Sequence, residues 1–200
     1  MKLELKVVDL LARNKGQKFT INEIARILKS HYSFLHRTIN KLTDEGVIIK
    51  EAAGRAYLCS INLSNEKTFA LIQLSEIEKK NEFYNSNKEI KVMLEDFVCS
   101  AKLLNPISIV LFGSYAKGTA TKESDIDILL ISKTKIDKKI DNIVNKIIKE
   151  MYAKYGKEIN VILMSIKDFK KQKDKDVIKE IIKDHCILYG VEKFVNLVFK

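Results

Sequence analysis

Cysteine is scarce in this 200-residue chain, long apolar runs are absent, and we find no internal repeat or low-complexity segment. The three cysteines, Cys59, Cys99 and Cys186, are far apart and lack a Cys-x-x-Cys spacing, so we expect reduced core thiols rather than disulfides or zinc ligands. No apolar run reaches the ~18 residues of a membrane span, and the N-terminus does not resemble a signal peptide. These features predict a cytoplasmic protein with no membrane partner.

Length and charge limit the domain organisation and the class of partner. Two hundred residues with 46% hydrophobic content suit one domain or two small ones. The net charge of +10 is uneven: residues 1–63 carry 11 basic and 6 acidic side chains, residues 64–104 carry 6 and 7, and residues 105–200 carry 19 and 13. A basic excess is typical of proteins that bind nucleic acids or nucleotides, but a lysine-rich solvated surface explains it equally well.

An apolar run in the middle of the chain ends at a small polar turn. Apart from Ser108, residues 107–112 are apolar, and three of them are β-branched, as expected of a buried strand; the run ends at Gly113-Ser114. Glycine lets the backbone turn tightly and approach a ligand, while Ser114 offers a hydroxyl and a backbone N–H to a phosphate oxygen. This turn therefore predicts a phosphate-binding site.

A second apolar run carries two carboxylates. Asp125 and Asp127 are two residues apart, and side chains on a strand alternate between faces, so we expect both aspartates on one face. Adjacent carboxylates repel each other unless a cation lies between them. Magnesium commonly binds one or two carboxylates and completes its shell with substrate phosphates. We therefore predict a metal-dependent phosphate site, with Asp125 and Asp127 as the metal ligands.

These residues also form a known motif. Phe112-Gly113-Ser114, ten intervening residues and Asp125-Ile126-Asp127-Ile128 resemble the pattern of the DNA polymerase beta-like nucleotidyltransferase superfamily, in its minimal archaeal and bacterial form. The resemblance covers about residues 88–200. It implies a small α/β domain with a mixed sheet that transfers a nucleoside monophosphate from an NTP to an acceptor with the help of Mg²⁺. It places these residues at the nucleotide: Gly113, Ser114, Lys117 and Ser124.

The chain departs from that family pattern at two places. The family usually adds a third acidic residue on a later strand, and here the matching register of residues 158–164 gives Asn160. An amide carries no charge and does not accept a proton at neutral pH, whereas Glu158, two residues earlier on the same face, can do so. The candidate catalytic residues are Asp125, Asp127, Glu158 and Asn160. Arginines of the family are replaced by Tyr115 and Lys117, and lysine binds phosphate as a point charge.

Residues 1–63 show a second pattern, three helices followed by a β-hairpin. Thr20 and Glu23 form a capping box that predicts the start of the second helix. Apolar residues recur at the helical period on the third helix, at Leu35, Ile39 and Leu42. Two strands, 47–51 and 56–62, flank a predicted four-residue turn.

This order of elements resembles a winged helix-turn-helix domain, in which the third helix enters the major groove of DNA. Arg37 suits guanine edges, Asn40 suits adenine, and Arg55 in the wing is expected to meet phosphate. Winged helices also serve as protein-interaction modules, so double-stranded DNA and protein partners both remain open. The candidate DNA-binding residues are Ser33, His36, Arg37, Asn40, Lys41 and Arg55.

The remaining segments complete the predicted organisation. Residues 64–83 suggest an amphipathic helix that braces the domains or pairs with its equivalent in a homodimer, and residues 81–87 suggest a linker. Residues 177–187 and 191–199 are predicted as helices, with His185 near the end of the first. The fold class is α+β: a winged helix domain (1–63), a connecting helix and linker (64–87) and a nucleotidyltransferase domain (88–200).

Three functions follow from this organisation. The protein is an enzyme that transfers a nucleotide onto a protein, small molecule or nucleic acid, or a DNA-binding regulator whose nucleotidyltransferase domain binds NTP without turnover. The third alternative comes from the resemblance alone: minimal nucleotidyltransferases often act as antitoxins that modify a small helical toxin.

Overall fold

The computed structural model describes residues 1–173 and 175–200. The chain forms two compact units. The first unit comprises Met1–Glu78 with Phe199–Lys200, and the second comprises Lys79–Val198. Among the described helices, none combines the length and the apolar character needed to cross a lipid bilayer.

The first unit begins with three helices: α1 (Leu3–Arg13), α2 (Ile21–Leu28) and α3 (Tyr32–Asp44). The predicted capping box is present at the start of α2. The Thr20 hydroxyl accepts a hydrogen bond from the Glu23 backbone N–H at 3.2 Å, and the Glu23 carboxylate accepts one from the Thr20 backbone N–H at 2.7 Å. These two bonds satisfy backbone donors that an uncapped helix leaves unpaired.

The predicted inward face of α3 is buried as expected. Leu35, Ile39 and Leu42 are all fully shielded from solvent. They recur every three or four residues, so they lie along one side of the helix and leave its other side to polar residues.

A small antiparallel sheet completes the N-terminal pattern. Its strands are β1 (Phe19–Thr20), β2 (Ile48–Ala53) and β3 (Ala56–Ile61), in the order β1-β3-β2. The hairpin turn is shorter than predicted because the strands stay paired as far as their terminal alanines, which leaves Gly54 and Arg55 at the tip.

The next helix, α4, spans Glu66–Ser86. The stretch predicted as a linker, residues 81–87, is therefore helical except for Asn87, and the boundary between the two units falls inside α4 after Glu78. The polar residues in this stretch include no proline or glycine, so their composition is as compatible with a solvated helix as with a linker.

From residue 88 onward, helices alternate with the strands of a four-stranded sheet. The helices are α5 (Lys88–Ala101), α6 (Gly113–Lys117), α7 (Lys138–Tyr155), α8 (Ile166–Gln172), α9 (Asp176–Lys183) and α10 (Val191–Phe199). The strands are β4 (Pro106–Phe112), β5 (Ile126–Ser132), β6 (Ile159–Ser165) and β7 (Cys186–Tyr189).

The strand order is β6-β5-β4-β7. Strand β4 pairs antiparallel with both β5 and β7. Strands β5 and β6 pair in parallel, and helix α7 connects them along the chain. The predicted mixed sheet is therefore confirmed.

Strand β7 was not predicted. The helix expected over residues 177–187 ends at Lys183, and Cys186–Tyr189 pairs with β4 instead. Four apolar residues in a row fit a buried strand as well as a buried helix. Here the pairing with β4 makes the segment a strand. His185 lies between α9 and β7 and is buried, with Nδ1 2.9 Å from the Ile182 carbonyl oxygen.

Both faces of the sheet are covered. Phe97 of α5 and Ile147 of α7 pack with Ile128 of β5 in one apolar core. The neighbouring Leu129 points to the opposite face and is also fully buried, where α8 contributes the buried Phe169. A strand that is buried on both faces has apolar residues at successive positions instead of alternating ones, which explains the apolar composition of β5.

Candidate active site

The turn at Gly113 brings the end of β4 against the start of β5. Gly113 has φ +70°, a conformation that residues with a side chain rarely adopt. A Cβ at this position would lie 2.1 Å from the Asp127 Oδ2 atom. Glycine is therefore required twice, once by the backbone conformation and once by the close approach of the Asp127 carboxylate.

The two aspartates lie side by side at the start of β5. Asp127 is inside the strand, opposite Phe112 of β4 and Asn160 of β6. Asp125 directly precedes the strand. The sequence predicts both aspartates inside the strand, but β5 begins at Ile126. Asp125 is exposed and Asp127 is half-buried, so both carboxylates are accessible to a ligand.

Asn160 joins this pair from the neighbouring strand. Its Nδ2 atom lies 3.4 Å from Asp125 Oδ2 and 3.4 Å from Asp127 Oδ1. An amide N–H between two carboxylates reduces their mutual repulsion, and rotation of the amide presents its oxygen to the same point. The register predicted for Asn160 places it beside both aspartates.

Glu158 lies at the entrance to β6. Its side chain is exposed, and its backbone carbonyl accepts a hydrogen bond from the Ile126 N–H at 3.0 Å. Glu158 and Asn160 also line a cavity of about 390 Å³ on the α7 side of the site. The other lining residues are Ile148, Lys149, Tyr152 and Ile159.

The predicted nucleotide-binding side chains occupy different surroundings. Ser114 is the second residue of α6, and Lys117 is exposed at the end of that helix. The Ser124 hydroxyl instead accepts a hydrogen bond from the Thr121 backbone N–H at 2.9 Å. Ser124 therefore closes the loop before Asp125 through its side chain.

Lys157 was missed by the sequence analysis. Its ammonium donates hydrogen bonds to the carbonyl oxygens of Lys122 at 2.6 Å and Ser124 at 2.8 Å. It also lies 5.6 Å from the ring centroid of Tyr115, which is buried in α6. A lysine before a strand gives no local signal, since its partners lie 35 and 33 residues earlier in the chain.

The donor set at this site is made of oxygen atoms. Over residues 1–173 and 175–200, no three His, Cys, Asp or Glu side chains cluster closely enough to form a metal site by themselves. Asp125 and Asp127 supply two carboxylates, and the amide of Asn160 can add a neutral oxygen. Two carboxylates with vacant positions for substrate oxygens suit Mg²⁺, so the residues present fit the predicted metal.

The candidate DNA-binding residues lie on the outer side of α3 and at the hairpin tip. Ser33, Arg37, Lys41 and Arg55 are exposed, whereas His36 and Asn40 are half-buried. Several of these side chains already have partners within the first unit.

Asn40 Oδ1 accepts a hydrogen bond from Lys50 Nζ at 2.8 Å, and Lys41 Nζ lies 3.3 Å from the Glu4 carboxylate. The Arg37 guanidinium lies 5.2 Å from the Phe34 ring centroid. Base contacts by Asn40 would require it to exchange its Lys50 bond, so Arg37 is the more available of the two predicted base-reading residues.

Comparison with known proteins identifies a family and two similar proteins. A family model described as a nucleotidyltransferase domain matches residues 91–189. A candidate protein adenylyltransferase of Methanocaldococcus jannaschii is 34% identical over 112 residues, which cover 54% of this chain and 76% of that protein. A second protein of that description from the same organism is 37% identical over 81 residues, covering 40% and 76%. No solved structure gives a significant match.

Proposed function

This chain belongs to the nucleotidyltransferase domain family, and we propose that it transfers a nucleoside monophosphate from a magnesium-bound NTP to a hydroxyl group of a protein. The two similar proteins of M. jannaschii are named as protein adenylyltransferases, which supports ATP as the nucleotide and a protein as the acceptor.

One observation carries this proposal, the convergence of three segments on a single point. The Gly113 turn contacts the Asp127 carboxylate, and the Asn160 amide lies within 3.4 Å of both aspartates. Three separate segments of the second unit thus place two carboxylates beside a turn suited to phosphate. Two carboxylates this close repel each other, and a bound cation would relieve that repulsion.

In this proposal Asp125 and Asp127 hold Mg²⁺. The bound ion supplies charge stabilisation to the phosphoryl oxygens. Gly113 lets a triphosphate approach the backbone, the Ser114 hydroxyl and N–H donate to its oxygens, and Lys117 adds a positive charge at the exposed end of α6. Ser124 contributes indirectly, since its side chain shapes the loop that precedes Asp125.

The acceptor reacts on the Asn160 side of the site. Its hydroxyl oxygen forms a bond to the α-phosphorus, the bond from that phosphorus to the leaving pyrophosphate breaks, and the hydroxyl proton passes to a base. Glu158 is the acid nearest to Asn160 in the sequence and lines the adjoining cavity, so we assign it the role of general base. Asn160 orients the two aspartates.

Labelled NTPs test this function directly. Wild-type protein is incubated with each α-labelled NTP, Mg²⁺ and cell extract, and we expect label from ATP on a protein band. The matched control is the Asp125→Asn, Asp127→Asn double variant, which keeps the shape of both side chains but removes their charge. Equal labelling by both proteins, or no label above background with wild type, would contradict the proposal.

A second candidate function rests on the first unit. Its three helices, its hairpin and the exposed Arg37 and Arg55 support a DNA-binding winged helix, in which case the second unit senses NTP. Asn160 in place of a third acid favours this alternative, because it weakens catalysis without preventing nucleotide binding. A double-stranded DNA target found by selection from random sequences, together with ATP binding and no turnover, would support it.

The acceptor is open to a narrower identification. A small helical toxin encoded beside this chain would be a protein acceptor, and co-expression followed by mass measurement of both proteins would detect the added nucleotide.

A homodimer through α4, detected by light scattering, would also be compatible with either function.

A further inference from the structure

Lys157 connects three segments near the proposed active site, although it is outside the family motif. It lies between α7 and β6, and its side chain is half-buried. Its ammonium donates to the carbonyl oxygens of Lys122 and Ser124, at 2.6 and 2.8 Å, and lies over the Tyr115 ring. These contacts join the start of β6 to the loop before β5 and to α6, the helix that begins at Gly113.

The hydrogen bonds of Lys157 and its neighbour flank Asp125 on both sides. The Ser124 carbonyl, which Lys157 binds, belongs to the peptide unit that leads into Asp125. The Ile126 N–H, which follows Asp125, donates to the Glu158 carbonyl at 3.0 Å. Two consecutive residues of the β6 entrance therefore fix the backbone before and after the aspartate.

Asp125 needs such support because it lies outside the regular sheet. Strand β5 begins at Ile126, and Asp125 is exposed. The preceding loop has an internal bond from the Thr121 N–H to the Ser124 hydroxyl, but Thr121, Lys122 and Glu123 are exposed. A charged donor forms stronger hydrogen bonds to carbonyl oxygens than a neutral one, so the ammonium is the main tie between this loop and β6.

We propose that Lys157 is a positioning residue that holds Asp125 in the place where it binds the metal. Its role in ordering the loop stands on the hydrogen bonds alone, while its effect on ligand binding rests on the proposed function of Asp125. The two parts can therefore fail separately. Lys157 does not contact the substrate in this account.

The test compares three single variants of the full-length protein. Lys157→Met keeps a long unbranched side chain and removes the donors. Lys157→Gln retains a shorter, neutral donor and is the milder variant if Lys157→Met does not fold. Lys122→Met is the matched control, because it removes the same charge from the loop while the Lys122 backbone carbonyl stays in place.

Hydrogen exchange without nucleotide measures the ordering of the loop. In Lys157→Met we expect the Ser124 and Ile126 amides to exchange about tenfold faster, whereas the Leu130 amide inside β5 is unchanged. Lys157→Gln should lie between wild type and Lys157→Met, and Lys122→Met should match wild type. Wild-type exchange in Lys157→Met would overturn the proposal.

Titration with Mg·ATP measures the effect on the site. We expect about tenfold weaker binding by Lys157→Met with an unchanged thermal unfolding midpoint. About tenfold more Mg²⁺ should restore its ATP binding, because the ligand is displaced and not removed. The same excess should not restore binding to Asp125→Asn. A merely structural role would lower the unfolding midpoint and would not respond to Mg²⁺.

The outcomes separate the two claims. Equal losses of affinity in Lys157→Met and Lys122→Met would assign the effect to charge and overturn the positioning role. Faster loop exchange in Lys157→Met, with wild-type protein that binds no Mg·ATP, would support the ordering role and contradict the proposed function instead.

Discussion

The candidate residues of the two units are held in place in different ways. On α3 of the first unit, side chains contact other side chains, as in the Lys50 bond to Asn40 and the pairing of Lys41 with Glu4. At the site in the second unit, the backbone sets the geometry: Gly113 adopts a positive φ against Asp127, and the sheet register places Asn160 beside it.

This difference affects how specific each surface is. Exposed ion pairs contribute about 0–1 kcal/mol each and rearrange easily, so α3 can present several arrangements of similar energy. Glycine adopts a positive φ at little cost, whereas a residue with a side chain loses about 1–2 kcal/mol there and at position 113 would also meet Asp127. We therefore expect substitutions at the second site to have larger and more position-specific effects than substitutions on α3.

The largest effect is expected at the proposed general base. Glu158→Gln should lower transfer by about 10² to 10⁴-fold with little change in Mg·ATP affinity. Asn160→Asp, its partner experiment, should raise turnover because it adds a third carboxylate beside Asp125 and Asp127. Initial rates of label transfer and calorimetric affinities measure both. If neither variant differs from wild type in clear turnover, both residues lie outside the reaction and our assignment of the acceptor side is wrong.

The next effect tests the backbone constraint. Gly113→Ala forces a Cβ to within 2.1 Å of Asp127 Oδ2 at φ +70°, so the carboxylate must move, and transfer should fall by about 10²-fold. Gly118→Ala is the matched control: Gly118 has φ +71°, but none of the described residues comes within 4 Å of the position that a Cβ would take there. It carries the backbone strain without the contact. Equal losses of activity in the two variants would show that backbone strain, and not the contact with Asp127, causes the loss.

A smaller effect is expected on α3. If the first unit binds DNA, Arg37→Ala should weaken a specific site about tenfold and random DNA less, because an arginine that reads guanine discriminates between bases. Arg55→Ala at the hairpin tip should weaken all sequences alike and reduce the salt dependence, as expected of a phosphate contact. Fluorescence anisotropy at several salt concentrations measures both. Absence of binding at low salt would make this unit a protein-interaction module.

The smallest effect concerns an exposed ion pair in the second unit. The Asp96 carboxylate accepts hydrogen bonds from Lys154 and the Tyr155 hydroxyl, which lower its pKa below the ordinary value of 3.8. Because the pKa of Asp96 is lower in the folded state than in the unfolded state, the ionised carboxylate stabilises the fold at pH values above 3.8. This stabilisation is lost as the pH falls through the folded-state pKa of Asp96. Asp96→Asn should lower the unfolding midpoint by at most about 3 °C at pH 7, and the difference should shrink under pH 3.8. A larger, pH-independent loss would show that packing and not charge is involved.

The sequence anticipates that Gly113, Asp125 and Asp127 lie together because the motif encodes backbone geometry; their roles stay predictions. Gly113, Asp125 and Asp127 are close in sequence, and the alternation of extended residues predicts both carboxylates on one side, although Asp125 precedes β5 and only Asp127 lies inside it. Asn160 required a register across two strands, and the family pattern supplied it. Lys157 could not be predicted, because its role depends on hydrogen bonds to carbonyl groups that any residue provides.

The errors in the fold prediction have a similar origin. The apolar run Cys186–Tyr189 carries no periodicity of its own, so the sequence predicts the end of a helix where the structure has β7. Residues 81–87 predict a linker because most of them are polar, although polar residues also form solvated helices. Both decisions depend on tertiary contacts: the pairing with β4 decides the first, and the packing of Phe83 and Tyr84 against the apolar core of the second unit favours the helix in the second.

Calorimetric titration with Mg·ATP tests the central claim, that the two aspartates beside the Gly113 turn bind the metal and the nucleotide. We predict saturable binding by wild type that disappears without Mg²⁺ and is abolished in the Asp125→Asn, Asp127→Asn double variant. The variant should remain folded, with an unfolding midpoint equal to or above that of wild type, because the repulsion between the carboxylates is removed. Equal affinity of wild type and a folded double variant for Mg·ATP would contradict the assignment of this site.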